Sequence, residues 1–160
     1  MKNFIKNRKG FTLVELVVVI AIIGILAGIA VPRFLDATAS ARGAKIVADM
    51  RTIQSAEMIY YAKNAKYPTA QADFADLVQG GWPEPPKGKF IIAKVLASGG
   101  GTTEGVIPDS AGKFVYKQNT TGEGDGVTSD GTGGTVVLTG ATGTEISGDV
   151  TLTKLLGSTN

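Results

Sequence analysis

From Phe11 to Val31 the chain reads FTLVELVVVIAIIGILAGIAV, with a single charge, Glu15, and a single hydroxyl, Thr12. No other feature restricts the possible folds so strongly. Coiled as a helix at about 1.5 Å per residue, the run reaches ~31 Å, close to the hydrocarbon thickness of a bilayer. It is apolar on every side, so it has no polar face to turn to water. A buried core helix is the competing reading, but the remaining ~130 residues are too few to wrap such a rod all round. Lys2, Lys6, Arg8 and Lys9 stand directly before the run with no acid among them. By the positive-inside rule the N-terminus stays cytoplasmic and the C-terminal part faces outward.

The charge balance follows from that cluster. The 160 residues carry a net charge of +2. Removing the four leader cations leaves 12 basic against 14 acidic side chains, or −2. An isoelectric point near 8.8 is therefore no sign of a nucleic-acid-binding surface, and no direct nucleic-acid binding is expected. Histidine and cysteine are both absent. This excludes His general bases, Cys nucleophiles, Cys/His zinc sites and disulfides, which makes an enzyme a poor reading of the sequence.

A basic stretch followed by an apolar run also describes a secretory signal peptide. The run is too long for that, however, and helix-forming sequence continues beyond Pro32. The small residue that marks a cut, Gly10, lies before the apolar run. Cleavage there removes the basic leader and keeps the apolar helix. The stretch Lys9-Gly10-Phe11-Thr12-Leu13-Val14-Glu15, with the run behind it, resembles the class III signal of type IV pilins and type II secretion pseudopilins. The resemblance covers roughly residues 6–67. It implies a prepilin peptidase cut between Gly10 and Phe11, and N-methylation of Phe11 as the new first residue. It also implies the pilin fold: an α+β architecture with a long N-terminal helix, half membrane-spanning and half amphipathic, packed on a small antiparallel β-sheet.

Glu15 needs its own account. A carboxylate at mid-membrane depth costs about 2.5–3.5 kcal/mol, and less near the interface. After cleavage the Phe11 amine is a cation at the same helix end. The pair can meet within one chain, or between chains displaced along their axes, or Glu15 can lie solvated among headgroups. The resemblance favours the second arrangement, with Glu15 and Phe11 guiding a subunit into a growing filament. Gly24 and Gly28 have the small-xxx-small spacing that lets helices approach closely. They also weaken the helix, and Pro32 removes a hydrogen bond to the Gly28 carbonyl. Gly24, Gly28 and Pro32 thus mark a soft stretch, expected to kink in the subunit and, by resemblance, to melt locally in a filament.

Beyond Arg33 good helix formers run to about Lys63. Leu35, Ile46, Met50, Ile53, Tyr60 and Tyr61 fall on one broad face. Glu57 lies within that stripe and needs a partner, for which Lys63 and Lys66 are candidates. The helix should end near Asn64, before Tyr67-Pro68, for a total of about 52 residues. A short helix is expected from Thr69 or Ala70 to Val78, stopped by Gly80-Gly81. Strands are expected at Phe90–Leu96, Lys113–Lys117, Thr135–Thr139 and Val150–Leu155, with glycine-rich links between them. Trp82 should cap the core. The organisation expected is thus a leader over 1–10, an apolar helix over 11–32, an amphipathic helix over 33–64 and a globular part over 65–160.

Residues 99–148 hold 14 of the 22 glycines. Within them, the tract from Thr120 to Gly134 offers oxygens from Glu123, Asp125, Ser129 and Asp130, which invites a calcium reading. The spacing is not that of an EF-hand, and some related pseudopilins bind calcium in C-terminal loops. No other cofactor or metal is expected. The function expected is that of a structural subunit of a type IV pilus, serving adhesion, motility or DNA uptake. It would sit in the cytoplasmic membrane as a single-pass precursor, be cut by prepilin peptidase, and assemble with identical subunits on an inner-membrane platform into a cell-surface filament. The first alternative is a pseudopilin of a type II secretion system. A distant one is a single-span membrane enzyme or binding protein.

Overall fold

The computed structural model describes residues 10–94, 100–118, 134–143, 146 and 148–157. The chain divides into two compact units, Met1–Asp36 and Ala37–Asn160. Helix α1 spans Leu13–Asn64, 52 residues, and ends where Tyr67-Pro68 requires it to end. The helix runs unbroken through Gly24, Gly28 and Pro32. The described residues of the first unit are all exposed, including Phe34 and Leu35.

In the second unit α1 supplies one wall of the core. Its buried residues are Ala39, Gly43, Ile46, Met50, Ile53, Ala56 and Glu57, at helical spacing of three and four. The expected stripe was right at Ile46, Met50 and Ile53, holds at Tyr60, which is half-buried against the core, and was wrong at Leu35 and Tyr61. Leu35 belongs to the first unit and is 60% exposed. Tyr61 is exposed and stacks on Tyr67, with ring centroids 4.5 Å apart. Small residues take over at Ala39 and Gly43 because the chain packs there at backbone range. A Cβ on Gly43 would lie 2.0 Å from the Ile91 carbonyl oxygen.

Strand β1 (Gly88–Ala93) pairs antiparallel with β2 (Thr102–Ile107). Strand β3 (Lys113–Gln118) pairs antiparallel with β4 (Gly134–Thr139), and β4 with the two-residue β5 (Val150–Thr151). A bridge between Val106 and Thr142 joins the two sheets, with reciprocal backbone bonds of 2.8 and 3.0 Å. The α+β arrangement of a long helix packed on small antiparallel sheets is thus observed. Phe74, Phe90, Ile107, Leu138, Leu155 and Val150 fill the space between sheets and helix.

Three local readings are corrected. β2 was read as a link, because its inward positions Thr103, Gly105 and Ile107 include only one large apolar residue. Gly105 is small because the Phe90 ring lies across it: a Cβ there would come within 2.6 Å of Phe90 Cζ. The expected strand Val150–Leu155 stops at Thr151 and turns into helix α2 (Leu152–Leu156). Thr151 caps that helix by accepting from the Lys154 N–H at 3.2 Å, and Gly157 closes it at φ +96°. Leu152, Leu155 and Leu156 are its buried face. The expected helix over 69–78 is two 3-10 turns, Gln71–Asp73 and Ala75–Leu77, separated at Phe74. Asp73 holds the first turn by accepting from the N–H of Thr69 at 2.7 Å, that of Ala70 at 2.9 Å and the Thr69 hydroxyl at 2.8 Å. These donors lower its pKa. Trp82 is half-buried at the core edge, donating from Nε1 to the Phe114 carbonyl at 2.9 Å.

Candidate functional site

The first candidate site is the beginning of α1 and its apolar surface. Thr12 precedes the first helical residue, Leu13. The Thr12 N–H and hydroxyl both donate to Glu15 Oε2, at 2.9 and 2.8 Å, and the Glu15 N–H donates to Thr12 Oγ1 at 3.2 Å. This is a capping box: N-cap threonine and N3 glutamate satisfy each other's backbone donors. The pattern Thr-x-x-Glu is the sequence signal for this box, and it gives Thr12 a role that reading Glu15 as a lone carboxylate does not supply. In apolar surroundings the box matters more than in water, since no solvent replaces a lost backbone bond.

Phe11 is 83% exposed and Leu13 78%. Exposure continues along every apolar side chain of the helix to Leu35. Monomeric soluble proteins rarely expose contiguous apolar patches beyond a few hundred Å². This helix is long and apolar enough to cross a membrane. Its surface must be covered, by lipid or by protein. Gly24 and Gly28 meet nothing within 4 Å of an added Cβ, so packing within the chain does not require them to be glycine. Phe11 precedes the helix and Glu15 lies in its first turn, while Gly24, Gly28 and Pro32 lie further along it. Glu123, Asp125 and Asp130, the calcium candidates, lie outside the described residues, as does Ser129. Among the described residues no group of three or more acids is placed to hold a metal.

The second candidate is a buried polar cluster. Glu57 is 1% exposed. Its Oε1 accepts from the Tyr116 hydroxyl at 3.1 Å and from the Gly134 N–H at 3.0 Å. Neither Lys63 nor Lys66 is its partner: both side chains are exposed, and the donors come from β3 and β4 instead. Burial raises the Glu57 pKa to about 7, with the two hydrogen bonds opposing that rise. Burial, then the neighbouring Glu57, raises that of Tyr116. A glutamate on the stripe Ile46-Met50-Ile53 was the sequence signal for this cluster; its partners, remote along the chain, were not legible.

The pattern described as the prokaryotic N-terminal methylation motif matches residues 5–31. The chain is 35% identical over 124 residues to the type IV wide pilus major component of Thermus thermophilus, spanning 72% of this chain and 91% of that protein. The chain belongs to the type IV pilin and pseudopilin family. Within this family it is also similar to the type II secretion system core protein G of Klebsiella pneumoniae, 34% identical over 54% of this chain and 65% of that one. With the type IV narrow pilus major component of Thermus thermophilus the identity is 47%, over 44% of this chain and 60% of that one. The chain thus spans less than two thirds of the length of these last two relatives. No solved structure matches it. In this pilin-family chain the matched motif coincides with the residues of the capping box and the exposed apolar helix.

Proposed function

We propose that the chain is the structural subunit of a type IV pilus. The observation that carries this reading is its similarity to a pilus component over 91% of that protein's length. The leader 1–10 is cut off after Gly10 by prepilin peptidase, and the Phe11 amine is methylated. Until assembly the helix over 11–32 lies in the cytoplasmic membrane, its N-terminus cytoplasmic, while the amphipathic stretch 33–64 and the globular residues 65–160 lie outside. Leaving lipid, the helix cannot stay exposed: each large apolar side chain gains about 1.5–3 kcal/mol when taken out of water. Packing identical helices together supplies that cover, on an inner-membrane platform that accepts the subunits.

The Glu15 carboxylate enters an apolar bundle in this scheme, which is tolerable only with a charge partner. Cleavage creates that partner in the Phe11 amine of a neighbouring subunit displaced along the filament. Gly24, Gly28 and Pro32 give the helix its softest stretch, where local melting can accommodate the filament's packing.

The similarity to a secretion core protein favours a second reading, in which the chain is a pseudopilin of a type II secretion system. Gene deletion separates the two. Loss of long surface filaments with protein export intact supports the pilus. Loss of export with long filaments retained transfers the chain to the secretion system.

A further inference from the structure

Glu57 is the one buried carboxyl among the described residues. No ion pair to it occurs among them. Every Lys and Arg after the leader is a described residue, and the sequence from Gln118 to Thr153 contains none. Its hydrogen-bond partners among the described residues are neutral. The geometry also shows a shortage of protons. Tyr116 Oη lies 3.1 Å from Glu57 Oε1 and 3.1 Å from the Pro68 carbonyl oxygen. A tyrosine hydroxyl carries one proton and cannot point it at both. With Glu57 ionised, Tyr116 leaves either the buried Pro68 carbonyl without its proton or the buried carboxylate with the Gly134 N–H alone among the described donors.

A proton on Glu57 satisfies the whole set. The carboxyl donates to Tyr116 Oη, Tyr116 donates to the Pro68 carbonyl, and the Gly134 N–H donates to the carboxyl. We propose that Glu57 is a proton-operated latch, whose neutral carboxyl fastens α1 to β3, to the start of β4 and, through Tyr116, to the Pro68 backbone. Ionisation removes the donor: Tyr116 then turns its one proton to the carboxylate, the Pro68 carbonyl loses its partner, and a charge with no cation beside it stays among apolar residues, so the cluster loosens. Among the described residues, the titratable groups that face the cluster reinforce this. Tyr116 comes from β3, Asp73 from the first 3-10 turn and Tyr67 from the segment before it; each is neutral or negative, and β4 brings none. Burial holds the Glu57 carboxyl to about 7, which sets the latch near neutrality. The latch belongs to the folded unit 37–160 and is independent of which filament the subunit builds.

The test uses the full chain in nonionic detergent, followed by infrared difference spectroscopy and thermal unfolding between about pH 5 and 9. Glu57→Gln is the informative variant, because its amide is close to the protonated acid in size, is neutral and does not titrate. The wild type should show a buried carboxylic-acid carbonyl band at the acid end that vanishes through neutrality and is missing from E57Q. Its unfolding midpoint should fall by several degrees over that range beyond any fall seen in E57Q. Equal pH dependence in the two proteins, or no acid band removed by E57Q, overturns the proposal. Should E57Q not fold, the wild-type spectra decide alone: absence of an acid band that vanishes through neutrality overturns the proposal. Tyr116→Phe adds a spectroscopic check: the band should shift when its acceptor is removed, and an unshifted band contradicts the donation to Tyr116.

Discussion

Gly43→Ala sets two effects of opposite sign against each other. Glycine inside a helix costs about 1 kcal/mol relative to alanine, so on propensity alone the substitution stabilises. Yet the added Cβ would lie 2.0 Å from the Ile91 carbonyl oxygen, 2.7 Å from its carbonyl carbon and 2.9 Å from Ile92 Cγ1. Close C···O contacts run at about 3.3 Å, so helix and strand must part by roughly 1.3 Å. The obstructing atoms are backbone, fixed by the pairing of Ile91 with Glu104 and Ile92 with Thr103, and no rotamer change relieves them. Overpacking of this kind costs about 1–3 kcal/mol, and a helix that lifts off also forfeits dispersion contacts along its buried face. The steric term wins. Net destabilisation should be about 1–2 kcal/mol, seen as a midpoint lowered by ~3–10 °C. The assay is thermal unfolding of the full chain in nonionic detergent, monitored by circular dichroism and by Trp82 fluorescence, whose ring packs edge-on to Phe74 in the core. Gly24→Ala is the control, since its Cβ meets nothing; it should leave the midpoint unchanged or raise it. A Gly43→Ala protein as stable as that control would refute the close crossing of α1 and β1.

Thr103→Val removes the buried hydroxyl that donates to the Leu155 carbonyl at 2.9 Å, tying β2 to α2; stability should fall by about 1–2 kcal/mol in urea unfolding, with the slope unchanged. The pH dependence from Glu57 has a fixed sign: the folded chain keeps the proton to about 7, the unfolded chain releases it near 4.5. Between those values the folded state binds more protons. Stability therefore drops as pH rises, by about 1.4 kcal/mol per unit and ~3 kcal/mol in all, and levels off above neutrality. Glu15→Ala should leave leader removal and membrane insertion intact while filament yield collapses, read by immunoblot of membranes against sheared surface material. Normal filaments from that variant would remove Glu15 from assembly.

The parts of the fold legible in the sequence were those written in local periodicity. The apolar run, the helix end ahead of Tyr67-Pro68 and the alternation of Phe114-Val115-Tyr116 each depend on neighbours along the chain. What stayed hidden depended on remote partners. Gly43 and Gly105 look like weak points of a helix and a link until Ile91 and Phe90 are seen lying against them. Val150–Leu155 reads as a strand by alternation, but Leu152, Leu155 and Leu156 also share a helical face, and the Thr151 cap decided between the two. At the N-terminus, the residue types pointed to Phe11 and Glu15, whereas the threonine between them needed the capping geometry. At Glu57 the need for a partner was readable from an acid on an apolar stripe. Its identity was not, because Tyr116 and Gly134 lie far along the chain.

The central claim is that the apolar helix survives maturation and only the charged leader is lost. Intact-mass and N-terminal sequencing of the native protein from membranes or sheared filaments tests it directly. The account predicts a chain that begins with N-methylated Phe11 and retains residues 11–31. A mature chain that begins beyond Val31, or one that keeps Met1–Gly10, would contradict it.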